Sequence, residues 1–257
     1  MTPRGAGTRD AAARDAAARD AETSLQDNPE TGSSASVAVP RPADHHQEGD
    51  AAAADLVPAD VAPSLASWDE LAAAACRCTA CPELAAARTN VVVGVNPPGA
   101  RILLIGEAPG ATEDAKGLPF VGASGRLLDR LLSEAGLVRS QVAVANILKC
   151  RPPNNRKPKK SEMDRCSPWI DRQLALIDPA VVCTLGGTAL EWALGRNARI
   201  GTARGAEHEW RGRVLIPTYH PSAALRFGLD SPAMEALRDD LKLVEAAASR
   251  LRAESTR

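Results

Sequence analysis

Short apolar runs and amphipathic stretches alternate along most of the chain. ARILLIGEAPG reads as a buried strand ending in a turn, and SGRLLDRLLSEAG, closed by Gly136, as an amphipathic helix. QVAVANILKC gives a second strand. KKSEMDRCSPWIDRQLALID gives a long helix in which Pro168 marks either a kink or the true start. PAVVCTLGG is a third strand, TALEWALG a short helix, RVLIPTYHP a fourth strand, and MEALRDDLKLVEAAASRL a C-terminal helix. Upstream, SLASWDELAAAACRC also reads as helix: Trp68, Leu71 and Ala75 recur three and four apart, and Ser67 suits an N-cap before Asp69 and Glu70. Continuous apolar strands separated by helices imply a parallel sheet covered on both faces. The expected fold is α/β, a three-layer α/β/α sandwich around a central, mostly parallel four-stranded sheet. In such sheets ligands bind beyond the carboxyl ends of the strands. The GEAPG turn, the NILKC segment and the YHPS turn all fall there.

Residues 1–63 break this pattern. RDAAA recurs with period five from Arg9, and Asp10 to Arg14 and Asp15 to Arg19 are helix-favouring acid-base pairs. Almost no large apolar residue accompanies them. A disordered, acidic Ala/Asp/Arg-rich tail and linker is expected over 1–63, with the folded domain at 64–257. Residues 1–65 hold 5 basic and 11 acidic residues, so a near-neutral total hides an acidic tail on a basic body. The stretch from Lys149 to Cys166 alone carries 7 basic and 2 acidic residues. Such a loop suits phosphate contacts, although a solvated basic loop is the ordinary reading.

No apolar run is long enough to span a bilayer, and MTPRGAGTRDAAARD has no apolar signal core. A cytoplasmic protein with no membrane partner is expected. There, cysteine pairs point to metal or redox chemistry rather than disulfides. Cys78 and Cys81 form CTAC, while Cys150 and Cys166 bracket the basic loop. Four thiolates suit zinc or an iron–sulfur cluster, and the spacing does not separate the two. Cys183, inside a strand, reads as a core thiol, and Cys76 lies outside the pattern. A thiol oxidoreductase is disfavoured, because CTAC follows a helix instead of opening one.

Several other residues stand at the expected ligand edge. Glu107 sits in the GEAPG turn at the mouth of the first strand. Phe120 is one of seven aromatics in the chain and lies in a glycine-flanked loop, where a base could stack on it. Asn146 interrupts an apolar strand, and its amide must find hydrogen-bond partners. That amide matches uracil, accepting from N3–H and donating to O4; cytosine presents the opposite pattern. His220 is the one histidine at a strand-to-loop junction on that edge. Each has an ordinary structural reading when taken alone.

Together, CxxC, GEAPGATED, GLPFVGASG, NILKCRPPNNRKP, a second cysteine 16 residues on, and HPSAALR resemble a family 4 uracil-DNA glycosylase, over roughly 78–227. The resemblance implies a [4Fe-4S] cluster on Cys78, Cys81, Cys150 and Cys166. It implies a monofunctional enzyme that hydrolyses the N-glycosidic bond of uracil in DNA and so starts base excision repair. Phe120 would stack on the flipped base, Asn146 read its N3/O4 edge, His220 donate to O2, and the backbone of Ala108 contact the base. Glu107 would position or activate water, with Glu113 and Asp114 assisting. Arg151, Arg156, Lys157 and Arg226 would contact DNA. The loop lacks the histidine by which a cross-linking relative attaches to the sugar, which argues for turnover. The expected partner is uracil-containing DNA, single- or double-stranded, engaged by a monomer. The alternative is a non-catalytic, zinc- or cluster-stabilised nucleic-acid-binding module.

Overall fold

A computed structural model describes residues 57–255, so the RDAAA repeats and most of the linker lie outside the described residues. Strands β1 (Ile102–Gly106), β2 (Ala143–Asn146), β3 (Val181–Leu185), β4 (His208–Trp210) and β5 (Arg213–Thr218) form one sheet in the order β2-β1-β3-β5-β4. The first four strands in that order run parallel, and β4 pairs antiparallel with β5 at the edge. The expected sandwich is present, but with five strands instead of four. The extra strand escaped the pattern for a physical reason. Arg211 and Gly212 join β4 to β5, and both have positive φ, 49° and 71°. A two-residue turn of that kind is normally announced by Asn-Gly or Asp-Gly, and Arg-Gly hides it.

Helices α1 (Pro58–Val61), α2 (Trp68–Cys76), α3 (Pro82–Ala87), α4 (Ala111–Lys116), α5 (Ala123–Glu134), α6 (Lys160–Ile177), α7 (Gly187–Leu194), α8 (Ile200–Ala203), α9 (Pro221–Phe227) and α10 (Pro232–Ser255) surround the sheet. Alternate strand residues face opposite layers. Ile102, Leu104, Val144, Val181, Cys183 and Ile216 pack with α5, α9 and α10. Leu103, Ile105, Ala145, Val182 and Leu215 pack with α6 and α7. Among the described residues, no helix is long and apolar enough to cross a membrane.

A third apolar cluster joins α2, α3 and α6 around Leu71, Leu84, Leu148 and Trp169. Pro58 and Ala62 are buried, so packed structure begins ahead of the expected boundary at 63/64. Ser67 caps α2 as the sequence suggested: its Oγ accepts from the Glu70 N–H at 3.2 Å. Helix α6 runs through Pro168. The carbonyl of Asp164, which a proline cannot bond, accepts instead from Ser167 Oγ at 3.1 Å.

The register levels the strand ends, with Gly106 opposite Asn146 and Leu185 opposite Thr218. The residues that follow therefore meet along one edge. Beyond β2 the chain leaves the sheet but stays pinned. The Ile147 and Leu148 N–H groups donate to Gly106 O and Glu107 O, each at 3.0 Å.

Candidate active site

A cavity of about 350 Å³ opens at that edge, lined among others by Glu107, Ala108, Phe120, Asn146, Arg156 and His220. These come from four separate segments, brought together by the level strand ends. A larger hollow, about 710 Å³, lies at the opposite ends of the strands around Arg101, Ala180 and Arg213, and none of the motif residues reaches it.

Phe120 is held in a left-handed conformation, φ 54°. A bulky residue there costs of order 1–3 kcal/mol and persists only when its surroundings enforce it. Two glycines and a carboxylate do so. A Cβ on Gly125 would stand 1.9 Å from Phe120 O, and one on Gly106 would meet Asn146 Oδ1 at 2.4 Å and Phe120 Cζ at 2.6 Å. Glu113 Oε1 accepts from the Val121 and Gly122 N–H groups at 2.9 and 2.7 Å, fixing the loop at the start of α5. The Phe120 ring lies 5.7 Å from that of His220, inclined at 34°.

Asn146 is 2% exposed, and its Oδ1 is buried without a hydrogen-bond partner among the described residues. Leaving such an acceptor unpaired costs roughly 1–3 kcal/mol. It points to a donor supplied by a ligand.

His220 caps the N-terminus of α9. The Ser222 backbone N–H donates to Nδ1 at 3.2 Å, and Ser222 Oγ lies 2.8 Å from the same nitrogen. A backbone N–H only donates, so Nδ1 is the acceptor and Nε2 carries the proton. Burial lowers the His220 pKa to about 4, against a raising influence from Glu113. The ring is thus a neutral hydrogen-bond donor at physiological pH.

Glu107 follows β1, and its Oε2 accepts from Thr188 Oγ1 of α7. Nothing in the one-dimensional pattern singled out Thr188; the available signal was a hydroxyl just after a Gly-Gly turn at a strand's carboxyl end. Asp114 departs from expectation. It is 3% exposed, lies outside the cavity lining, and accepts from the Thr89 and Asn90 N–H groups at 3.0 and 3.2 Å. Its part is to tie the segment after α3 to α4.

The basic loop is less free than its composition suggested. Arg156 binds Glu162 through two hydrogen bonds, of 2.6 and 2.9 Å, and approaches Glu83 at 3.1 Å. Lys159 also pairs with Glu83, and Lys160 with Asp164. Arg151 donates to Asn155 Oδ1 at 2.7 Å. Lys157 and, on α9, Arg226 are exposed.

Cys78, Cys81, Cys150 and Cys166 line one small chamber of about 20 Å³, together with Arg88 and Lys149. Cys183 lies in the core instead, and Cys76 is exposed outside the chamber lining. Arg88 donates to Cys78 O at 2.8 Å and to Cys150 Sγ at 3.0 Å. Burial pushes the Cys166 thiol up to about 12, and raises Cys81 and Cys150 as well. Lys149 is fully enclosed, and burial lowers its pKa to about 8. Its ammonium donates to Asn146 O at 2.7 Å and to Gln173 Oε1. Among the described residues, no group of three or more His, Cys, Asp or Glu side chains stands in metal-holding geometry. Four thiols sharing one chamber with three cations, Arg88, Lys149 and Arg165, nonetheless fit an anionic iron–sulfur centre in donor chemistry. A bound metal would offset the cost of ionising Cys81, Cys150 and Cys166.

The fold and the edge cavity define an α/β protein with a motif-lined cavity beyond the strand carboxyl ends. The sequence profile of the Uracil DNA glycosylase superfamily matches residues 93–242, more than half of the chain, and the chain belongs to that superfamily. It is similar to the type-4 uracil-DNA glycosylase of Thermotoga maritima, 46% identical over 152 residues that cover 58% of this chain and 79% of the relative. The type-4 uracil-DNA glycosylase of Saccharolobus solfataricus is 42% identical over 171 residues, 63% of this chain and 78% of the relative. A type-5 uracil-DNA glycosylase of Thermus thermophilus is 35% identical over 185 residues, 56% and 82% respectively.

Proposed function

We infer that this protein is a monofunctional uracil-DNA glycosylase that excises uracil from DNA by hydrolysis and thereby starts base excision repair. The observation that carries this reading is the buried, unpartnered Asn146 Oδ1, set in a cavity walled by Phe120 and His220. A base must leave the duplex to reach it, at a cost of a few kcal/mol. Stacking on Phe120 returns about 1–3 kcal/mol. Asn146 Oδ1 accepts from uracil N3–H while its amide donates to O4. Cytosine would bring an acceptor to that acceptor and a donor to that donor.

In the chemical step the C1′–N1 bond breaks, and its electron pair leaves with the uracil. Charge gathers on O2, where the neutral His220 donates from Nε2; a donor placed where charge develops is worth most in the transition state. Glu107 accepts from the water that attacks C1′, takes its proton, and stabilises the cationic sugar by its own charge. The products are free uracil, protonated from solvent, and an abasic site. Ala108 meets the base through its backbone, and Glu113 acts by holding the Phe120 loop. Arg151, Lys157 and Arg226 contact phosphates, and Arg156 walls the cavity beside them. The protein acts as a monomer. Cys78, Cys81, Cys150 and Cys166 would hold a [4Fe-4S] cluster, which would supply a fixed anionic charge and a rigid clamp between the CTAC segment and the loop.

A uracil-containing oligonucleotide, incubated with the protein and then treated with alkali, tests this. Strand cleavage is expected only after alkali. Iron-loaded protein that binds the oligonucleotide but releases no uracil would leave the non-catalytic module as the reading.

A further inference from the structure

The turn after β3 carries a hydroxyl that the reaction as described does not use. Thr188 lies in the first turn of α7 and is 3% exposed. A helical Thr commonly satisfies its hydroxyl within its own helix, as Thr202 does by donating to Arg199 O at 3.0 Å. Thr188 instead reaches to Glu107, 81 positions earlier in the chain. The Glu107 backbone is fixed separately, by the Leu148 N–H donating to its carbonyl at 3.0 Å. Main chain and carboxylate are thus tied from two different elements. One carboxylate oxygen, Oε2, is taken. Among the described residues no protein group bonds the other, Oε1, which remains for a ligand or water in the cavity that Glu107 lines.

The same turn bears on the second catalytic group. A Cβ on Gly186, at φ +92°, would stand 3.0 Å from His220 Cβ, so glycine there lets His220 approach. The Gly186 N–H donates to Thr218 O at 2.8 Å, fixing the turn to the end of β5.

We propose that Thr188 is a positioning residue for uracil excision, holding the Glu107 carboxylate in one orientation so that Oε1 meets the attacking water. This rests on the role given to Glu107 above. A carboxylate free to rotate would spend time misaligned, and misplacement of a reacting group is costly in rate.

Single-turnover excision and affinity for DNA carrying a non-cleavable uracil analogue are to be measured for Thr188→Val, Thr188→Ser, Glu107→Gln and the Thr188→Val/Glu107→Gln double variant. Thr188→Val should lower the rate about 10- to 100-fold with affinity within about threefold of wild type. Thr188→Ser, which restores the hydroxyl, should recover most of the rate. The double variant should be no slower than Glu107→Gln alone, since the hydroxyl acts through that carboxylate. If Thr188→Val does not fold, Thr188→Ala replaces it, with thermal melting as the control. A wild-type rate in the hydroxyl-free variant, or losses that add fully in the double variant, would overturn the proposal while leaving Glu107 in place. A wild-type rate for Glu107→Gln would overturn both.

Discussion

The edge cavity and the cysteine chamber meet on one stretch of chain, and they are built in opposite ways. Asn146 ends β2 in the cavity, and four residues later Cys150 lines the chamber. In the cavity the polar groups are anchored: Glu107 by Thr188, Glu113 by the Phe120 loop, and His220 by Ser222. One acceptor is left open. In the chamber Cys150 and Cys166 are buried, burial makes Cys81, Cys150 and Cys166 costly to ionise, and the charged lining residues are cations. The cavity is complete as protein and, on the proposed function, takes a base. The chamber gathers four thiols beside cations, a donor set that suits an anionic cluster. Lys149 ties the two, bonding Asn146 O from beside the cysteines.

If that division of labour holds, cavity variants lose chemistry and keep iron, and chamber variants lose iron. The largest effect belongs to His220→Ala, expected to slow single-turnover excision about 10²–10³-fold, the range for losing one such donor. Iron content, measured on the same sample, should not change. Substituting Cys78, Cys81, Cys150 or Cys166 by Ser should lower iron per chain and melting temperature. Cys76→Ser and Cys183→Ser should keep their iron; its loss in the Cys76 variant but not in Cys78→Ser would reassign the ligands.

A smaller effect concerns pH. The His220 pKa is held at about 4, below the ordinary histidine value near 6.5. The unfolded chain therefore binds a proton on this ring at a higher pH than the native one does. Its contribution to stability is complete above about pH 6.5 and is lost as pH falls toward 4. Denaturant titrations between pH 7 and 4.5 should show a shallower acid loss in His220→Ala than in wild type. A pH–rate inflection near 6.5 that disappears in that variant would contradict the neutral-donor assignment. Smallest of all, removing residues 1–56, with their ten acidic and five basic side chains, should change excision on short oligonucleotides only a few-fold.

Much of this was legible in the sequence, because the cavity's side chains sit in short motifs at strand ends. Glu107, Asn146 and His220 needed only the inference of a parallel sheet to be placed on one edge, whereas Phe120, in a loop between two helices, was placed there by the family resemblance. What stayed hidden depended on distant partners or on backbone geometry. Glu83 neutralises part of the basic loop from 73 positions before Arg156, and no local charge count reveals it. Asp114 looked like a second active-site carboxylate beside Glu113. One step along a helix turns adjacent residues to different faces, and Asp114 faces the 89–90 backbone. YHPS was read as a turn, yet from Pro221 the chain is a helix capped by its own histidine, which fixes the His220 tautomer.

The open acceptor on Asn146 is tested most directly by binding, without chemistry. The probes are two duplexes with a non-cleavable uracil analogue, one bearing N3–H and the other methylated at N3. The wild-type protein should prefer the unmethylated duplex by about tenfold or more, and Asn146→Ala should bind both alike. Equal affinity of the wild-type protein for the two duplexes would contradict the assignment of Asn146 as the reader of the base.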